Sequence, residues 1–439
     1  MISIEHLYDL YLAHPVISTD SRKVSPDSLF FALKGTSFDG NRFAAQALAS
    51  GAAYAIVDDE SVVENERFLL VEDVLKALQD LAHHHRMQLH IPVIAITGSN
   101  GKTTTKELVA AVLSAHYPAF ATKGNLNNHI GVPLSLLSIG PITEVAVIEM
   151  GANHQGEIDF LCQIAAPSHG LITNIGKAHL EGFGGIEGVK KGKSELYRWL
   201  ASSNGTAFIN RDEAFLEELA KPVTKKVFYK RSDQPSLAEV DLEIKLLATQ
   251  PFIRAAFLDR KSGHLQEVNT QLFGAYNFNN VMTAIALGKY FKVPAEKIIQ
   301  AIEAYIPSNN RSQLVEMAGN RFVLDAYNAN PSSMRQAILS FRAMEGKNKI
   351  AILGDMLELG EESLSEHEQI VQLAQAQHFD QVILVGANFR KVAEQHELLH
   401  FPNVTSLKGW FVQQGFSDRY FLIKGSRGMQ LERLLMETE

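Results

Sequence analysis

The stretch VIAITGSNGKTTTKELVAAVL, residues 93–113, decides the fold. It reads as a buried strand, a glycine-containing turn ending in Gly-Lys-Thr, and a helix. That is the anatomy of a phosphate-binding loop, but the Walker pattern places four residues between its glycines. Here Gly98 and Gly101 enclose only Ser99 and Asn100. Glycines at these places let backbone N–H groups approach an anion without a Cβ in the way. Lys102 stands where an ammonium reaches terminal phosphates, and Thr103 offers a hydroxyl to a magnesium ion at the helix start. A glycine turn whose threonines cap the helix is the plainer reading. Gly-Lys-Thr at a strand-to-helix junction favours phosphate binding, without saying whether the phosphate is transferred, hydrolysed or only held.

Outward from this stretch the chain divides into three units. Residues 1–88 mix short strands (SLFFAL, AAYAIVD) with helical patches and end in the helix VLKALQDLAHHHRMQL, stopped at Ile91-Pro92. Residues 89–306 continue from the loop through the apolar strands EVAVIEM and HGLITNI and a helix around EGVKKGKSELYRWL. Strands separated by helical patterns imply a parallel sheet with helices on its faces. A strand-rich insert follows (VDLEIKLLA, FIRAAFLD, LQEVNTQLF), then two helices near 278–291 and 295–305. YIPSNNRSQ has the composition of a linker. Over 307–439 the alternation restarts, from RFVLDAYN to RYFLIKG and a terminal helix, as a doubly wound unit in its own right. The fold class expected is α/β: a central parallel-sheet ATPase domain, a C-terminal Rossmann-like domain and a smaller N-terminal α/β domain.

Composition narrows the function. Of 439 residues, 46% are apolar and 21% charged, as in a globular protein too long for one core. The net charge of −8, with no basic block, argues against bulk nucleic-acid binding. Cys162 is the single cysteine, which excludes an intrachain disulfide and a cysteine metal cluster. MISIEHLYDLYLAHP lacks the layout of a secretory signal, and no apolar run approaches the ~18 residues of a membrane span. A reducing, cytoplasmic home is the expectation.

Other segments repay a closer look. In VAVIEMGANHQGEI, Glu149 ends an apolar strand, where sites in α/β sheets collect, and a carboxylate there suits Mg²⁺ as well as an ordinary ion pair. ITNIGKAHLEGFGG brings His179 and Glu181 in after another strand. Lys190, Lys191 and Lys193 share a helix, and a solvated face is the reading for the first two. In FGAYNFNNVMTAIALG, Asn277 and Asn280 open a helix, either as caps or as readers of a purine edge. LDAYNANPSSMRQAI ends a strand in Asp325 and clusters polar groups before Pro331, as a binding loop or as a turn with a cap by Asn330 or Ser332. Successive side chains of His83, His84 and His85 diverge on a helix and cannot converge on one ion.

Taken together, TGSNGKTTTK, EMGA…GEI, AHLEGFG, KGKSELY, YNFNN and YNANPSSM resemble the Mur ligases, with the MurF type the nearest. DSRKVSPDSLFFALKGTSFDG, GNLNNHIGVPLSLL, LGDMLELG and KGSR extend the likeness over nearly the whole chain, in order. The family's glycine loop is the short form.

The resemblance implies three domains: one for the UDP substrate, one for ATP, and a Rossmann-like one that closes over ATP. It implies that ATP phosphorylates the terminal carboxylate of a UDP-N-acetylmuramoyl-tripeptide and that D-Ala-D-Ala attacks the acyl phosphate, releasing ADP and phosphate. By position, Gly98, Ser99, Asn100, Gly101, Lys102, Thr103 and Thr104 would hold the nucleotide, with Lys102 at the β/γ-phosphates. Thr103 and Glu149 would bind a first Mg²⁺; His179 and Lys193, the latter as a carbamate, would serve a second. Asn277 looks like the adenine contact, Arg311 the basic residue reaching the phosphates, and Asp325 a nucleotide residue from the third domain. Asn127, Asn128 and the Tyr327, Asn328 and Asn330 loop would meet substrate. Ser21, Arg22, Lys34, Gly35, Asp39 and Gly40 match the stretches that contact UDP. No nucleic acid or membrane partner and a monomeric state are expected.

Two departures stand out. Tyr276 occupies a place often held by histidine, and Ser194 one often held by glycine. Ser332 stands where a MurE-type ligase carries arginine, which favours a dipeptide acceptor over that type or a folylpolyglutamate synthase. A plain phosphotransferase would not need the outer domains. A non-catalytic relative could lose Lys102, Glu149, His179 or Lys193, and all four are present.

Overall fold

A computed structural model describes residues 2–233, 241–259 and 261–436. Met1, at the head of the N-terminal unit, and 437–439, at the end of the C-terminal one, lie outside the described residues. Three sheets carry the architecture. The first has four strands in chain order, Ile17–Ser18, Leu29–Phe31, Tyr54–Val57 and Phe68–Leu70, all parallel.

The central sheet has nine strands. Val93–Thr97 lies between Val145–Glu149 and His169–Ile172, parallel to both, and every residue of Val93–Thr97 and Val145–Glu149 is buried. Burial on both faces explains why these strands are unbroken apolar runs. The chain leaves Val93–Thr97 toward one side and returns on the other, so the switch point of the sheet lies at the glycine loop. The strand-rich segment is no separate insert. Lys225–Arg231 pairs in parallel with Thr206–Asn210, and Leu242–Ala248, Arg254–Asp259 and His264–Asn269 extend the same sheet. The helix expected around 187–200 is two, Ile186–Lys193 and Glu195–Ser202. At the break the Ser194 hydroxyl donates back to Lys191 O at 3.0 Å, the competition by which serine bends a helix.

The third sheet runs Gln313–Met317, Asn320–Asp325, Tyr420–Lys424, Lys349–Gly354, Gln381–Val385, Leu399–Phe401. The first pair is an antiparallel hairpin and the rest are parallel. Its two edge strands were not expected from the sequence. Both are only partly buried and so carry no apolar run to betray them. The helix Val404–Gln413 was also unforeseen, and the terminal helix is one 3₁₀ turn, Leu431–Leu434.

The helix Val74–Gln88 precedes the central sheet, yet it packs on the helices Gly131–Leu136 and Glu157–Ala165 that flank it. Arg86 sews this contact. Its buried guanidinium donates to Ala165 O (2.9 Å) and Ala166 O (3.0 Å), at the C-terminal end of Glu157–Ala165 where a cation is favoured, and to Leu89 O (2.7 Å) at the end of its own helix. Arg86→Met keeps the aliphatic bulk but strips those carbonyls of their donors. The expected cost is about 3 kcal/mol in urea unfolding. A loss below about 1 kcal/mol would show that water replaces the guanidinium.

Candidate active site

The short loop is shaped by contacts from outside itself. Gly98 has φ +142°, and a Cβ there would fall 2.0 Å from Thr173 Oγ1. Gly101 has φ +79°, and its Cβ would fall 2.7 Å from Asn280 Oδ1. Both glycines are therefore required by space as well as by backbone angle. Segment 173–176 braces the loop. Asn174 Oδ1 accepts from Asn100 N (3.0 Å), Thr173 Oγ1 donates to Asn100 O (2.6 Å), and Gly176 N donates to Ser99 Oγ (2.9 Å). Lys102 Nζ folds back to donate to Gly98 O at 2.7 Å. Burial lowers its pKa below the ordinary lysine value; Glu149 opposes that shift and Arg311 adds to it.

Glu149 ends its strand beside this loop and is buried. Its Oε1 accepts from Thr103 Oγ1 (3.1 Å) and Asn127 Nδ2 (2.9 Å). Its Oε2 is buried without a hydrogen-bond partner among the described residues, and Lys106 Nζ stands 3.7 Å away, beyond hydrogen-bond reach. An orphaned carboxylate oxygen beside a threonine hydroxyl is a donor set that suits Mg²⁺. Lys106 was missed from the sequence, although it lies one turn after Lys102 on the same helix face.

Lys193 is 1% exposed, its Nζ donating to Ala152 O at 2.9 Å beside the Phe183 ring. Burial, and secondarily the charge of Lys102, push its pKa well below the ordinary 10.5, while Glu157 and Glu195 pull the other way. Lys190, by contrast, pairs with Glu187 at the surface. His179 lies at the mouth of the same cleft, hydrogen-bonded through Nδ1 to Glu358 of the third unit.

The third unit is docked against this assembly. Asn330 caps the helix Pro331–Ala343 through its side-chain oxygen, and its amide donates to Asn100 Oδ1 at 2.7 Å. One residue therefore serves both readings. Lys177 N donates to Ser332 Oγ (3.2 Å), and the Lys177 ammonium pairs with the buried carboxylate of Glu366. Between the units lies a cleft of about 600 Å³ lined by Ser99 to Thr104, Asn127, Asn128, Glu149, His179, Asn277, Arg311, Asp325, Tyr327 and Asn328. Gly98, Asn330 and Lys193 stand just behind that lining, tied to it by the bonds above.

Arg311 stacks on the Tyr327 ring at 3.7 Å, and its buried Nε has no hydrogen-bond partner among the described residues. Asp325 is engaged, accepting from Lys424 Nζ (2.6 Å) and Ser312 N (3.2 Å). Lys424, Arg427 and Glu358 also line the cleft and were missed as site residues, although the segments KGSR and LGDMLELG that hold them stood out. Asn277 is no cap: its amide donates to Phe273 O (2.7 Å) and its oxygen accepts from Asn280 Nδ2 (2.7 Å). That leaves one N–H and one lone pair unused on an amide that lines the cleft. Tyr276 OH bonds Ser312 Oγ at 2.6 Å, tying the start of this helix to the segment that carries Arg311.

The N-terminal residues do not line the cleft. Ser21 and Arg22 lie in a turn after the first strand, with Arg22 paired to Asp20. Lys34 bridges to Asp39 in the backbone and pairs with Asp58 at 2.8 Å. Asp39 accepts from Asn41 N at 3.0 Å, and a Cβ on Gly40 would meet Leu33 O at 2.4 Å. At Gly35 a Cβ would strike the exposed Phe38 ring at 2.2 Å. Lys34 to Gly40 form one tight loop after the strand Leu29–Phe31, and Ser21 and Arg22 lie in a separate turn before it.

Known proteins share this construction. Family models described as Mur ligase family, catalytic domain, as Mur ligase middle domain, and as Mur ligase, glutamate ligase domain match residues 15–86, 96–288 and 310–427. The UDP-N-acetylmuramoyl-tripeptide–D-alanyl-D-alanine ligase of Bacillus subtilis (strain 168) is 34% identical, the match covering 98% of this chain and 94% of that protein. The crystal structure of MurF from Acinetobacter baumannii superposes with a TM-score of 0.83 at 34% identity, covering 95% of this chain and 92% of that one. MurF ligase from Thermotoga maritima, in complex with ADP, gives 0.83 at 27% identity over 97% of each chain. Among the described residues no helix is long and apolar enough to cross a membrane. By its near full-length match and the models that span it, the chain belongs to the Mur ligase family.

Proposed function

We propose that this chain is an ATP-dependent, ADP-forming amide ligase of the MurF type, which joins D-Ala-D-Ala to UDP-N-acetylmuramoyl-tripeptide for peptidoglycan synthesis. The observation that carries the reading is the meeting, in one cleft, of the short glycine loop, the unpartnered oxygen of Glu149 and the unpartnered Nε of Arg311. Residues 1–88 would hold the UDP part through Ser21, Arg22, Lys34, Gly35, Asp39 and Gly40. Residues 89–306 would hold ATP, and 307–439 would complete the site from above. The enzyme would act in the cytoplasm as a monomer.

The chemistry needs a better leaving group than oxide on the tripeptide carboxylate. Its oxygen attacks the γ-phosphorus, ADP departs, and the acyl phosphate is then open to the amine. The amine attacks the carbonyl carbon, loses a proton, and the tetrahedral intermediate expels phosphate. Lys102 would turn from the Gly98 carbonyl to the β- and γ-phosphate oxygens, and Arg311 would meet the charge that develops during transfer. Magnesium supplies charge neutralisation across the phosphates, and Thr103 with Glu149 would hold it. His179 and Lys193 would serve a second ion. An ammonium cannot do so, but burial lowers the Lys193 pKa and so favours the neutral, nucleophilic amine. Its nitrogen adds to CO₂ and loses one proton, giving a carbamate with carboxylate-like oxygens. Asn277 has one donor and one acceptor left for the adenine edge, and Asn127, Asn128, Tyr327, Asn328 and Asn330 would surround the peptide portions. The docked third unit would keep water from the acyl phosphate.

Phosphate release from Mg²⁺-ATP should require both UDP-N-acetylmuramoyl-tripeptide and D-Ala-D-Ala and yield UDP-N-acetylmuramoyl-pentapeptide by mass spectrometry. Release indifferent to D-Ala-D-Ala would sink the assignment. Lys193 makes a second expectation. In CO₂-free buffer its folded pKa lies below the unfolded one, so between the two the unfolded state binds the extra proton. Stability therefore rises with pH from the lowered pKa up to 10.5. Lys193→Met should flatten that rise by up to about 1.4 kcal/mol per pH unit in denaturant titrations, and should cost activity at least about 100-fold. An unchanged pH slope would mean that the folded amine stays charged.

A further inference from the structure

Two non-glycine residues in the left-handed backbone region meet across the cleft: His179 at φ +53° and Glu358 at φ +62°. Such backbone is uncommon for histidine and more so for glutamate, and persists only where the surroundings impose it. Around Glu358 they do. Asp355 Oδ1 and Oδ2 accept from Phe389 N (3.0 Å) and Asn388 N (2.9 Å), filling with the protein's own carboxylate the start of the helix Arg390–Gln395. Met356 N donates to His367 Nε2 at 3.1 Å, and Leu357 N donates to Ser426 Oγ at 3.0 Å. Met356 and Leu359 are buried on either side. The loop is thus clamped at each residue before Glu358, whose side chain is left reaching out of its own unit. Its hydrogen-bond partner among the described residues is His179 Nδ1.

A carboxylate only accepts, so in a neutral ring this contact puts the proton on Nδ1 and leaves Nε2 its lone pair. Nε2 has no partner among the described residues, and both side chains line the cleft. We propose that Glu358 is a positioning residue for His179: supplied by the third unit on docking, it fixes the ring's tautomer and orientation so that Nε2 faces the second cation. This rests on the reading of His179 as a ligand given above. Carboxylates behind metal-binding histidines do this elsewhere, but ordinarily from the same rigid scaffold. Here the support arrives only when the units close, so the second ion and closure are coupled, each favouring the other by the same factor.

Mn²⁺ is the probe, titrated against the full chain with a non-hydrolysable ATP analogue and counted by electron paramagnetic resonance. Wild type should take up two ions. His179→Ala should lose the weaker. Glu358→Ala should weaken that ion about 10- to 100-fold and leave the other unchanged, with kcat falling while the KM for ATP holds. Glu358→Gln, whose carbonyl still accepts from Nδ1, should recover part of the loss. Nitrogen-15 spectra of His179 should show the Nδ1–H tautomer in wild type and a mixture in Glu358→Ala. Lys177→Met removes the other charged contact between these units among the described residues and is the control for closure alone. If it weakens the second ion as much as Glu358→Ala, Glu358 is only a latch and the proposal fails. It fails too if Glu358→Ala keeps both ions while His179→Ala loses one, and the ligand reading then stands. If His179→Ala keeps both, that reading falls and takes the proposal with it.

Discussion

Two residues between Gly98 and Gly101 are too few to wrap an anion unaided, and much of the active-site architecture follows from that shortage. A longer glycine loop closes on its own backbone N–H groups. This one is held open by segment 173–176, which takes the carbonyl and N–H of Asn100 and the hydroxyl of Ser99. The same segment runs on through Lys177 and His179 to the third unit. Asn100 itself is shared, its backbone bound to the central sheet and its amide oxygen to Asn330. A nucleotide that moves this loop must therefore act on the docking of the third unit, and the docked unit must act on the loop. The coupling needs no distant pathway, because one residue belongs to both contacts.

The charges of the cleft show the cost of such a site. Among the described residues Glu149 is buried with one oxygen unpaired, Lys193 is buried with a backbone carbonyl as its hydrogen-bond partner, and Lys106 is buried with its Nζ 3.3 Å from Gly124 O and 3.7 Å from Glu149 Oε2. A chain selected for stability alone would replace such groups by apolar ones of similar volume. Their retention places strain where a cation and a polyanion would relieve it.

Local features of the sequence carried the glycine loop, the strand ending in Glu149 and the apolar centre of each sheet. Each depends on neighbours within a few residues. Buried parallel strands cannot avoid being apolar, and a strand-to-helix turn that binds anions cannot avoid glycine. Edge strands Gln313–Met317 and Leu399–Phe401 escaped because half-buried residues need no pattern. Ser194 escaped as a helix break because its burial and its hydrogen bonds to Lys191 and Arg198 leave no mark on the local sequence pattern. Asn277 was legible as important but not in its manner. Of the two readings open from sequence, cap or reader of a purine edge, its contacts to Phe273 and Asn280 rule out the cap and show a fixed amide. The partnership of His179 with Glu358 was out of reach, since it joins residues 179 positions apart in separate units.

Arg311 and Asp325, both assigned to the nucleotide from sequence, part company in the structure. Asp325 has each oxygen engaged, one by the buried ammonium of Lys424 and one by the N–H of Ser312. A carboxylate so neutralised brings little net charge to the cleft. It does anchor Ser312, which Tyr276 also grips from the helix that starts at Asn277. The residue between this anchor and the left-handed Asn309–Asn310 pair is Arg311. Its guanidinium is stacked on Tyr327 rather than paired with an acid, so its charge is oriented without being cancelled. Arginine suits such a place, because its planar group keeps its hydrogen-bonding edges free while its face is packed. The two residues act in concert, Asp325 setting the backbone and Arg311 presenting the charge.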